Sequence, residues 1–304
     1  MTFDIEPYRE LYPFESRWLD LNGVRYHYID EGQGEPIVMV HGNPTWSFYF
    51  RELAKALRPS YRVIAVDHIG CGLSDKPADD QYEYRLQRRI DDLDALLRHL
   101  GVTENLTFVL HDWGGMIGMG RALRQPKNVR RLVILNTAAF LLPRGKRLPW
   151  GLRVIRNGGP LAALLVRGLN GFARSAVYLA CKKRMPAPVR AAYCAPYDSW
   201  RNRIATLRFV QDIPLGPEDP SYGPVKWIDD HLHELRDTPM LICWGEGDFV
   251  FDADFLNEWR RRFPEAEVHT FSDAGHYCLE DAPERIIPIV QDFLARHPLS
   301  EAAS

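Results

Sequence analysis

The sequence predicts an α/β fold in which a mostly parallel sheet carries helices on both faces and a helical cap is inserted into the core. Three observations lead to this prediction. Strand-like and helix-like segments alternate along much of the chain. Residues with catalytic chemistry follow several of the strand-like segments, at the edge where open parallel sheets carry their sites. One long interval, 140–235, has helical patterns broken by proline and glycine but no strand.

These observations divide the 304 residues into two parts. We predict a core of residues 1–139 and 236–304 and a cap of residues 140–235, a length that an α/β sheet with an insertion reaches as one unit. Helical periodicity is clear in residues 84–100. Seven short apolar segments are predicted to be strands: residues 24–29, 37–40, 62–66, 106–110, 132–135, 240–244 and 268–271.

Composition restricts the class of protein. Hydrophobic residues make up 46 %, charged residues 26 %, and the net charge is −2. These values are close to the averages of soluble globular proteins and do not indicate a polyanionic partner. The sequence contains no metal-ligand cluster, phosphate-cradling loop or nucleic-acid motif, so we expect no metal, no cofactor and no nucleic acid.

The cysteines and the start of the chain suggest a compartment. Five cysteines without a C-x-x-C pair do not resemble a disulfide framework, which favours a reducing cytoplasm. The first six residues lack the basic and apolar regions of a signal peptide, and no run approaches the roughly eighteen apolar residues of a membrane span. We therefore expect a cytoplasmic protein. The cysteines are Cys71, Cys181, Cys194, Cys243 and Cys278.

The turn after strand 37–40 supplies hydrogen-bond donors. It reads His41-Gly42-Asn43-Pro44-Thr45-Trp46 and lies where a parallel sheet places a binding loop. Asn43 offers a backbone N–H and a side-chain amide. We expect Trp46 to pack in the interior, the commoner use of tryptophan.

The turn after strand 106–110 carries the nucleophile. It reads His111-Asp112-Trp113-Gly114-Gly115 and opens a glycine-rich segment. This pattern resembles the nucleophile elbow of the α/β-hydrolases, although Leu110 departs from their G-x-S-x-G motif. A serine here would need a base to remove its proton, whereas a carboxylate is already ionised and suits displacement at a saturated carbon. Asp112 is therefore predicted to form an alkyl ester.

The two loops together predict a leaving-group site. In the α/β-hydrolase fold the oxyanion hole combines backbone N–H groups of these loops, here those of Asn43 and Trp113. Their side chains add an amide NH₂ and an indole N–H. Such donors suit an anionic leaving group such as a halide or a carboxylate.

Two later turns complete the chain order nucleophile, acid, histidine. Asp248 follows strand 240–244, and His276 follows strand 268–271. We predict that His276 is the base and that Asp248 orients it. Three nearby carboxylates compete with Asp248 by spacing alone, namely those of Glu246, Asp252 and Glu280. By contrast, we expect three histidines in strand-end turns to be structural: His41, His68 and His111.

The cap has an unusual charge distribution. Residues 141–190 contain eleven Lys or Arg and no Asp or Glu, and apolar stretches such as residues 161–166 lie between them. One interpretation is a solvated basic face. The other is a surface that contacts an anionic membrane or an acidic partner protein while apolar residues line a channel for a hydrophobic substrate.

With these residues in place, the whole chain resembles the haloalkane dehalogenases. Within them it is most similar to the branch that contains the β-lactone decarboxylases of bacterial long-chain olefin biosynthesis. The motifs that carry the resemblance are HGNPTWS (41–47), DHIGCGLSDKP (67–77), the run 111–120, PYDSW (196–200) with NRIAT (202–206), and DFVFD (248–252).

The resemblance implies an α/β-hydrolase fold and decarboxylation of a cis-3,4-dialkyl-oxetan-2-one to a cis-alkene and CO₂, with Asp112 as nucleophile. It also implies a small hydrophobic substrate and a complex with other enzymes of olefin biosynthesis. The alternative is a haloalkane dehalogenase that hydrolyses the ester on Asp112. A less favoured alternative is an epoxide hydrolase, for which Tyr193 and Tyr197 are candidates to polarise the epoxide oxygen. An inactive receptor is disfavoured because Asp112, Asp248 and His276 are all present.

Overall fold

The computed structural model describes residues 3–299 and contains one sheet of eight strands. The first two strand pairings, β1 with β2 and β2 with β4, are antiparallel, and the other five are parallel. Across the sheet the order is β1-β2-β4-β3-β5-β6-β7-β8. The strands are β1 (Arg17–Asp20), β2 (Arg25–Glu31), β3 (Pro36–Val40), β4 (Arg62–Val66), β5 (Leu106–Asp112), β6 (Val129–Thr137), β7 (Met240–Gly245) and β8 (Glu267–Phe271).

Twelve α-helices connect and cover these strands within the described part of the chain. A π-helical turn, Leu164–Gly168, continues the fifth helix. The helices are α1 (Arg51–Leu57), α2 (Leu86–His99), α3 (Trp113–Ala122), α4 (Trp150–Asn157), α5 (Gly159–Ala163), α6 (Gly171–Leu179), α7 (Ala187–Cys194), α8 (Ile204–Gln211), α9 (Tyr222–His231), α10 (Ala253–Arg262), α11 (Cys278–Asp281) and α12 (Pro283–Arg296).

Both faces of the sheet are buried, as the sequence predicts for parallel strands. Alternate residues of a strand point to opposite faces. In β3, for example, Val38 packs in the core beneath α2, α3 and α10, whereas Met39 packs in the core beneath α1 and α12. The prediction of a mostly parallel sheet with helices on both faces is confirmed.

The seven predicted strands and the predicted helix at 84–100 are observed, the helix as α2. One strand was missed. β1 is short, and its side chains are mostly exposed, so it lacks the apolar run that identifies the other strands. It joins the sheet edge by antiparallel pairing with β2.

Helices α4–α9 lie between β6 and β7, and no described residue between those two strands belongs to the sheet. We retain residues 140–235 as the proposed extent of the cap. Residues 1–2 and 300–304 of the predicted core lie outside the described residues. Among residues 3–299, no helix is both long enough and apolar enough to cross a membrane.

Candidate active site

Asp112 lies at the sharp turn between β5 and α3. Its backbone has φ 52° and ψ −126°, a conformation that is costly for a residue with a side chain. Neighbouring glycines make the turn sterically feasible. A Cβ on Gly114 would overlap the Val40 carbonyl, and one on Gly115 would overlap the Thr137 hydroxyl.

Leu110 occupies the position where the G-x-S-x-G pattern has its first glycine. Its side chain is buried and occupies the space beside Gly118, on the next helix, where a Cβ would overlap it. Gly118 on α3 therefore leaves room for the Leu110 side chain. In the G-x-S-x-G pattern that room is not needed, because the strand itself has a glycine at this position. This explains how the turn forms despite the departure from the pattern.

The structure brings together the predicted nucleophile, acid and histidine, which are Asp112, Asp248 and His276. The His276 Nε2 atom lies 3.5 Å from Asp112 Oδ2, and Nδ1 lies 2.7 Å from Asp248 Oδ2. The other oxygen of Asp248 accepts the backbone N–H groups of Val250 and Phe251 at 2.7 and 3.1 Å. These bonds fix the Asp248 carboxylate, so that His276 is held between two carboxylates.

The competing carboxylates make other contacts. Glu280 accepts hydrogen bonds from Arg51 and Tyr193. Asp252 pairs with Lys146 and caps the start of α10, and Glu246 is exposed. None of the three contacts His276 among the described hydrogen bonds and ion pairs, which favours Asp248 as the residue that orients it.

Asn136, near the end of β6, was not identified from the sequence. Its Nδ2 atom donates to Asp248 Oδ2 at 3.1 Å and to the Gly245 carbonyl at 3.0 Å, and its Oδ1 atom accepts the Gly245 N–H at 2.8 Å. Its φ of 35° is unusual for a residue other than glycine. An asparagine at a strand end is a weak signal in one sequence, because asparagine is common in turns.

We expect Asn136→Ala to lower kcat by about tenfold to a hundredfold, the cost typical of losing a group that orients a catalytic residue. The physical reason is that Asp248 would lose one of its donors and could tilt away from His276. Steady-state kinetics would measure the effect. Asn105→Ala is the matched control, because Asn105 also has a positive φ but directly precedes β5, at the end of that strand opposite to Asp112. Equal losses in both variants would contradict a positioning role.

The charges of the site stabilise one another. Burial alone would lower the pKa of His276, but the Asp248 carboxylate and the hydrogen bond with Asp112 outweigh it and raise the pKa to about 10. Burial alone would raise the pKa of Asp112, but the hydrogen bond and charge of His276 dominate and hold it below its usual value. Near neutral pH the site therefore contains an imidazolium between two carboxylates.

The predicted leaving-group donors both border the cavity beside Asp112. The backbone N–H of Asn43 donates to Asp112 Oδ1 at 2.6 Å, and its side-chain Nδ2 donates to the Thr206 carbonyl of the cap at 3.0 Å. One amide hydrogen of Asn43 is left for a ligand. The Trp113 indole makes no hydrogen bond with a described residue, and its ring packs on Phe209. Asn43 and Trp113 therefore line the same cavity as Asp112, and their role as donors to a leaving group stays a prediction.

A mostly apolar cavity extends from the catalytic residues towards the cap. It is lined by side chains of both the core and the cap and is partly open to solvent. Its polar lining residues are Asn43, Asp112, Trp113, Lys146, Arg147, Ser175, His276 and Tyr277. The large apolar lining residues are Met116, Phe140, Leu141, Leu142, Leu148, Leu152, Phe172, Leu179, Val210, Ile213, Val225, Phe249, Val250, Phe251 and Phe255.

The residues expected to be structural are buried and hydrogen-bonded. His41 Nδ1 contacts the Gly42 carbonyl, His68 Nε2 contacts the His41 carbonyl, and His111 Nε2 contacts the His276 carbonyl. Burial lowers the pKa of His41 to about 4 and that of His111 to about 3, so both rings are neutral. Trp46 is fully buried. These expectations are confirmed, and His111 additionally fixes the backbone of His276.

Within residues 3–299, no three His, Cys, Asp or Glu side chains form a group suited to a metal ion.

The two tyrosines considered for epoxide binding are buried and bonded to other groups of the protein. Tyr193 donates to Glu280 at 2.6 Å, and Tyr197 donates to the Thr45 carbonyl at 3.1 Å. Neither tyrosine lines the cavity.

The chain is similar in sequence and fold to known proteins. A family model described as the alpha/beta hydrolase fold matches residues 35–283. The chain is 55 % identical to the cis-3-alkyl-4-alkyloxetan-2-one decarboxylase of Shewanella oneidensis over 93 % of this chain and 89 % of that protein. It is 48 % identical to the enzyme of the same name from Xanthomonas campestris pv. campestris, with 95 % and 98 % covered.

More distant similarities are to dehalogenases. Haloalkane dehalogenase 2 of Mycobacterium bovis is 32 % identical over 94 % of this chain and 97 % of that protein. The crystal structure of haloalkane dehalogenase DbeA from Bradyrhizobium elkani superposes with a TM-score of 0.83 at 25 % identity, with 96 % of this chain and all of that chain covered. The predicted α/β-hydrolase fold is thereby confirmed.

Proposed function

The chain belongs to the α/β-hydrolase family, and we propose that it is a decarboxylase that converts a cis-3-alkyl-4-alkyloxetan-2-one to a cis-alkene and CO₂. The similarity to two decarboxylases of that name, at 55 and 48 % identity against 32 % for a dehalogenase, is the observation that carries the proposal. The aspartate at the elbow and the apolar cavity support it independently, because the substrate combines a strained ester ring with two alkyl chains.

The first step is displacement at the saturated ring carbon that bears the ring oxygen. One oxygen of Asp112 forms a bond to this carbon, and the bond from the carbon to the ring oxygen breaks with its electron pair. Asp112 thereby becomes a neutral ester, and the leaving group is a carboxylate that stays attached to the substrate. Asn43 and Trp113 would stabilise this charge by donating hydrogen bonds as it forms.

The second step releases the alkene. The bond between the carboxylate and the adjacent carbon breaks, its electron pair forms the double bond, and the bond to Asp112 breaks with its electrons returning to the aspartate. The products are CO₂, the alkene and the Asp112 carboxylate. Inversion in the first step followed by anti elimination in the second converts a cis-lactone into a cis-alkene.

His276 has a defined part in this scheme without acting on water. As an imidazolium it holds Asp112 in its ionised, nucleophilic form and faces the carboxylate again when the aspartate is regenerated. A dehalogenase needs the neutral ring of His276 to activate water. The scheme for the lactone does not require that form.

This difference predicts the pH dependence of the reaction. Asp112 is ionised well below neutral pH because its pKa is lowered, and His276 stays protonated until the pH approaches its pKa of about 10. We therefore expect kcat/KM for the lactone to be constant between about pH 6 and 9, since kcat/KM reports the free enzyme. Initial rates of alkene formation would measure it. An inflection near pH 6.5, with activity only above it, would show that the reaction needs the neutral ring of His276 and would contradict the proposed scheme.

Two alternatives are less well supported. Dehalogenation uses the same nucleophile and leaving-group donors, but the dehalogenases are the more distant relatives. For epoxide hydrolysis, the two tyrosines considered as hydroxyl donors, Tyr193 and Tyr197, donate to other groups of the protein.

The deciding experiment offers the purified protein a cis-β-lactone with two long alkyl chains and, separately, 1-bromobutane. Alkene would be measured by gas chromatography and bromide by a release assay. We expect alkene formation at a rate well above bromide release. Rapid bromide release without alkene would overturn the proposal and favour a hydrolytic dehalogenase.

We also propose a cytoplasmic location. All five cysteines are free thiols in the structure, and three of them, Cys71, Cys243 and Cys278, are buried. Free cysteines are typical of a reducing compartment. Fractionation of cells that produce the native protein would test the location.

A further inference from the structure

The surface of the cap is strongly basic. Of the eleven cations in residues 141–190, three form ion pairs with acidic residues of other segments. These three are Lys146, Arg156 and Lys183. The eight others, which include the exposed Arg153, Arg174 and Arg184, form no ion pair with any residue from 3 to 299. The segment therefore presents positive charge that the rest of the described chain does not neutralise.

The same segment exposes apolar side chains. Seven of the twelve large apolar side chains exposed in the described structure lie in residues 150–179. Four of them form a leucine stripe on α5 and the turns after it. The leucine stripe comprises Leu161, Leu164, Leu165 and Leu169, which are 58, 54, 38 and 62 % exposed.

The spacing of the leucine stripe explains its exposure. Positions i, i+3, i+4 and i+8 lie on one side of a helix. On the other side Ala162 and Val166 are buried against Leu207. One interpretation of the sequence placed apolar residues such as 161–166 in the lining of a channel for a hydrophobic substrate. That expectation is wrong for the leucines, because they point outward and none of them lines the cavity.

The cavity opens within this surface. Leu179, at the end of α6, is 64 % exposed, and Phe249 is 53 % exposed, yet both line the cavity and so mark its mouth. Helix α6 packs against the π-helical turn that carries part of the leucine stripe. Tyr178 and Trp150, which are 62 and 80 % exposed, add aromatic rings to the same segment.

We propose that this cap surface docks on an anionic phospholipid bilayer, with the leucine stripe and the mouth of the cavity against the lipid. The unpaired cations would contact lipid phosphates, while the leucines enter the boundary between headgroups and acyl chains. Tryptophan and tyrosine favour that boundary because they combine an apolar ring with a polar group. A second copy of the chain fits less well, since a symmetric contact would place one uncompensated basic surface against another.

Docking on a bilayer would also explain how the substrate of the proposed reaction reaches the cavity. A lactone with two long alkyl chains, and the alkene made from it, both partition into lipid. A mouth held against the bilayer would let the substrate enter and the product leave without crossing water. This consequence rests on the proposed function, but the docking itself does not.

Flotation with vesicles tests the docking without any measurement of turnover. The full chain would be mixed with vesicles of phosphatidylcholine alone or of phosphatidylcholine with 30 mol % phosphatidylglycerol, a composition chosen as roughly that of an anionic bacterial membrane. We expect binding to the anionic vesicles that decreases with added salt. Two variant sets probe the two components: R153Q/R174Q/R184Q removes charge, and L161Q/L165Q/L169Q removes apolar surface.

Each variant set should weaken vesicle binding. The charge set should lower the binding constant by roughly a hundredfold at low salt, since each surface cation contributes a factor of about five to that constant. The control set R130Q/R236Q/R260Q removes the same charge from exposed arginines outside the cap and should bind like the unaltered protein. Thermal denaturation and turnover of a short-chain lactone would verify that the variants fold. Absence of binding to anionic vesicles, or equal loss in the control set, would overturn the proposal. The proposal would also be overturned if the unaltered protein did not bind vesicles and the leucine substitutions changed its oligomeric state. That result would identify the leucine stripe as an interface between copies of the chain.

Discussion

Replacement of the nucleophile, Asp112→Asn, is expected to reduce alkene formation by at least about 10⁴-fold, because loss of a nucleophile removes the covalent route altogether. Asparagine keeps the size of the side chain but lacks the negative charge that attacks the ring carbon. It can still accept the Asn43 N–H, which at present donates to Asp112 at 2.6 Å. The turn should therefore keep its geometry, so that the loss reports chemistry and not collapse of the site.

The measurement combines gas chromatography of the alkene with intact-mass spectrometry after rapid quenching. Active protein should show a transient mass increase of one substrate molecule, which the Asp112→Asn variant should lack. Asp230→Asn, a change of an exposed carboxylate on α9, serves as the control and should leave the rate unchanged. An Asp112→Asn variant that retained a tenth of the activity would show that Asp112 is not the nucleophile.

The second large effect is expected from His276→Gln, which should slow alkene formation by about 10²–10³-fold, within the range for loss of a catalytic proton-bearing group. The physical reason is electrostatic. Without the imidazolium, the buried carboxylates of Asp112 and Asp248 would face each other with no cation between them, and the pKa of Asp112 would rise towards that of a buried acid. A smaller fraction of Asp112 would then be ionised.

The products of this variant separate decarboxylation from hydrolysis. If decarboxylation is the reaction, any ester on Asp112 should decay to alkene in the His276→Gln variant as it does in the unaltered protein. His231→Gln, a change of a half-buried histidine at the end of α9, is the control and should have full activity. A stable ester in the variant, together with a β-hydroxy acid as the main product of the unaltered protein, would show that His276 activates water and would exclude the proposed scheme.

Loss of His276 should also affect stability in a pH-dependent way. Because the folded state raises the pKa of His276 from 6.5 to about 10, its contribution to the free energy of unfolding is fully present below pH 6.5 and is lost as the pH rises through 10. The difference in stability between the unaltered protein and the variant should therefore narrow over that range. Denaturant titrations at several pH values would show it.

Local patterns in the sequence identified most of the candidate catalytic residues. Asp112 was recognisable because a strand, a charged residue and two glycines are consecutive in the chain. Asp248 and His276 followed from their order along the chain and from their places after predicted strands. These signals lie within a few residues of one another, so they need no knowledge of which segments meet in space.

Contacts between distant segments were not predictable in the same way. Asn136 is separated from Asp248 by more than a hundred residues, and only the pairing of β6 with β7 brings them together. Likewise, the compensation between Leu110 and Gly118 appears only when α3 is packed against β5. Only the fold shows why Glu280 does not compete with Asp248, because Arg51 and Tyr193 bind Glu280 from other parts of the chain.

The sequence by itself determined the fold class and predicted the nucleophile and the type of chemistry, because hydrophobic periodicity and turn residues act over short stretches of chain. Only the tertiary structure decided which side of each cap helix is covered. In residues 161–169 both sides are apolar, so periodicity alone could not tell the leucines that face solvent from the small residues that face Leu207. The covered side is selected by the packing of the neighbouring helices, and that packing is a property of the folded chain as a whole.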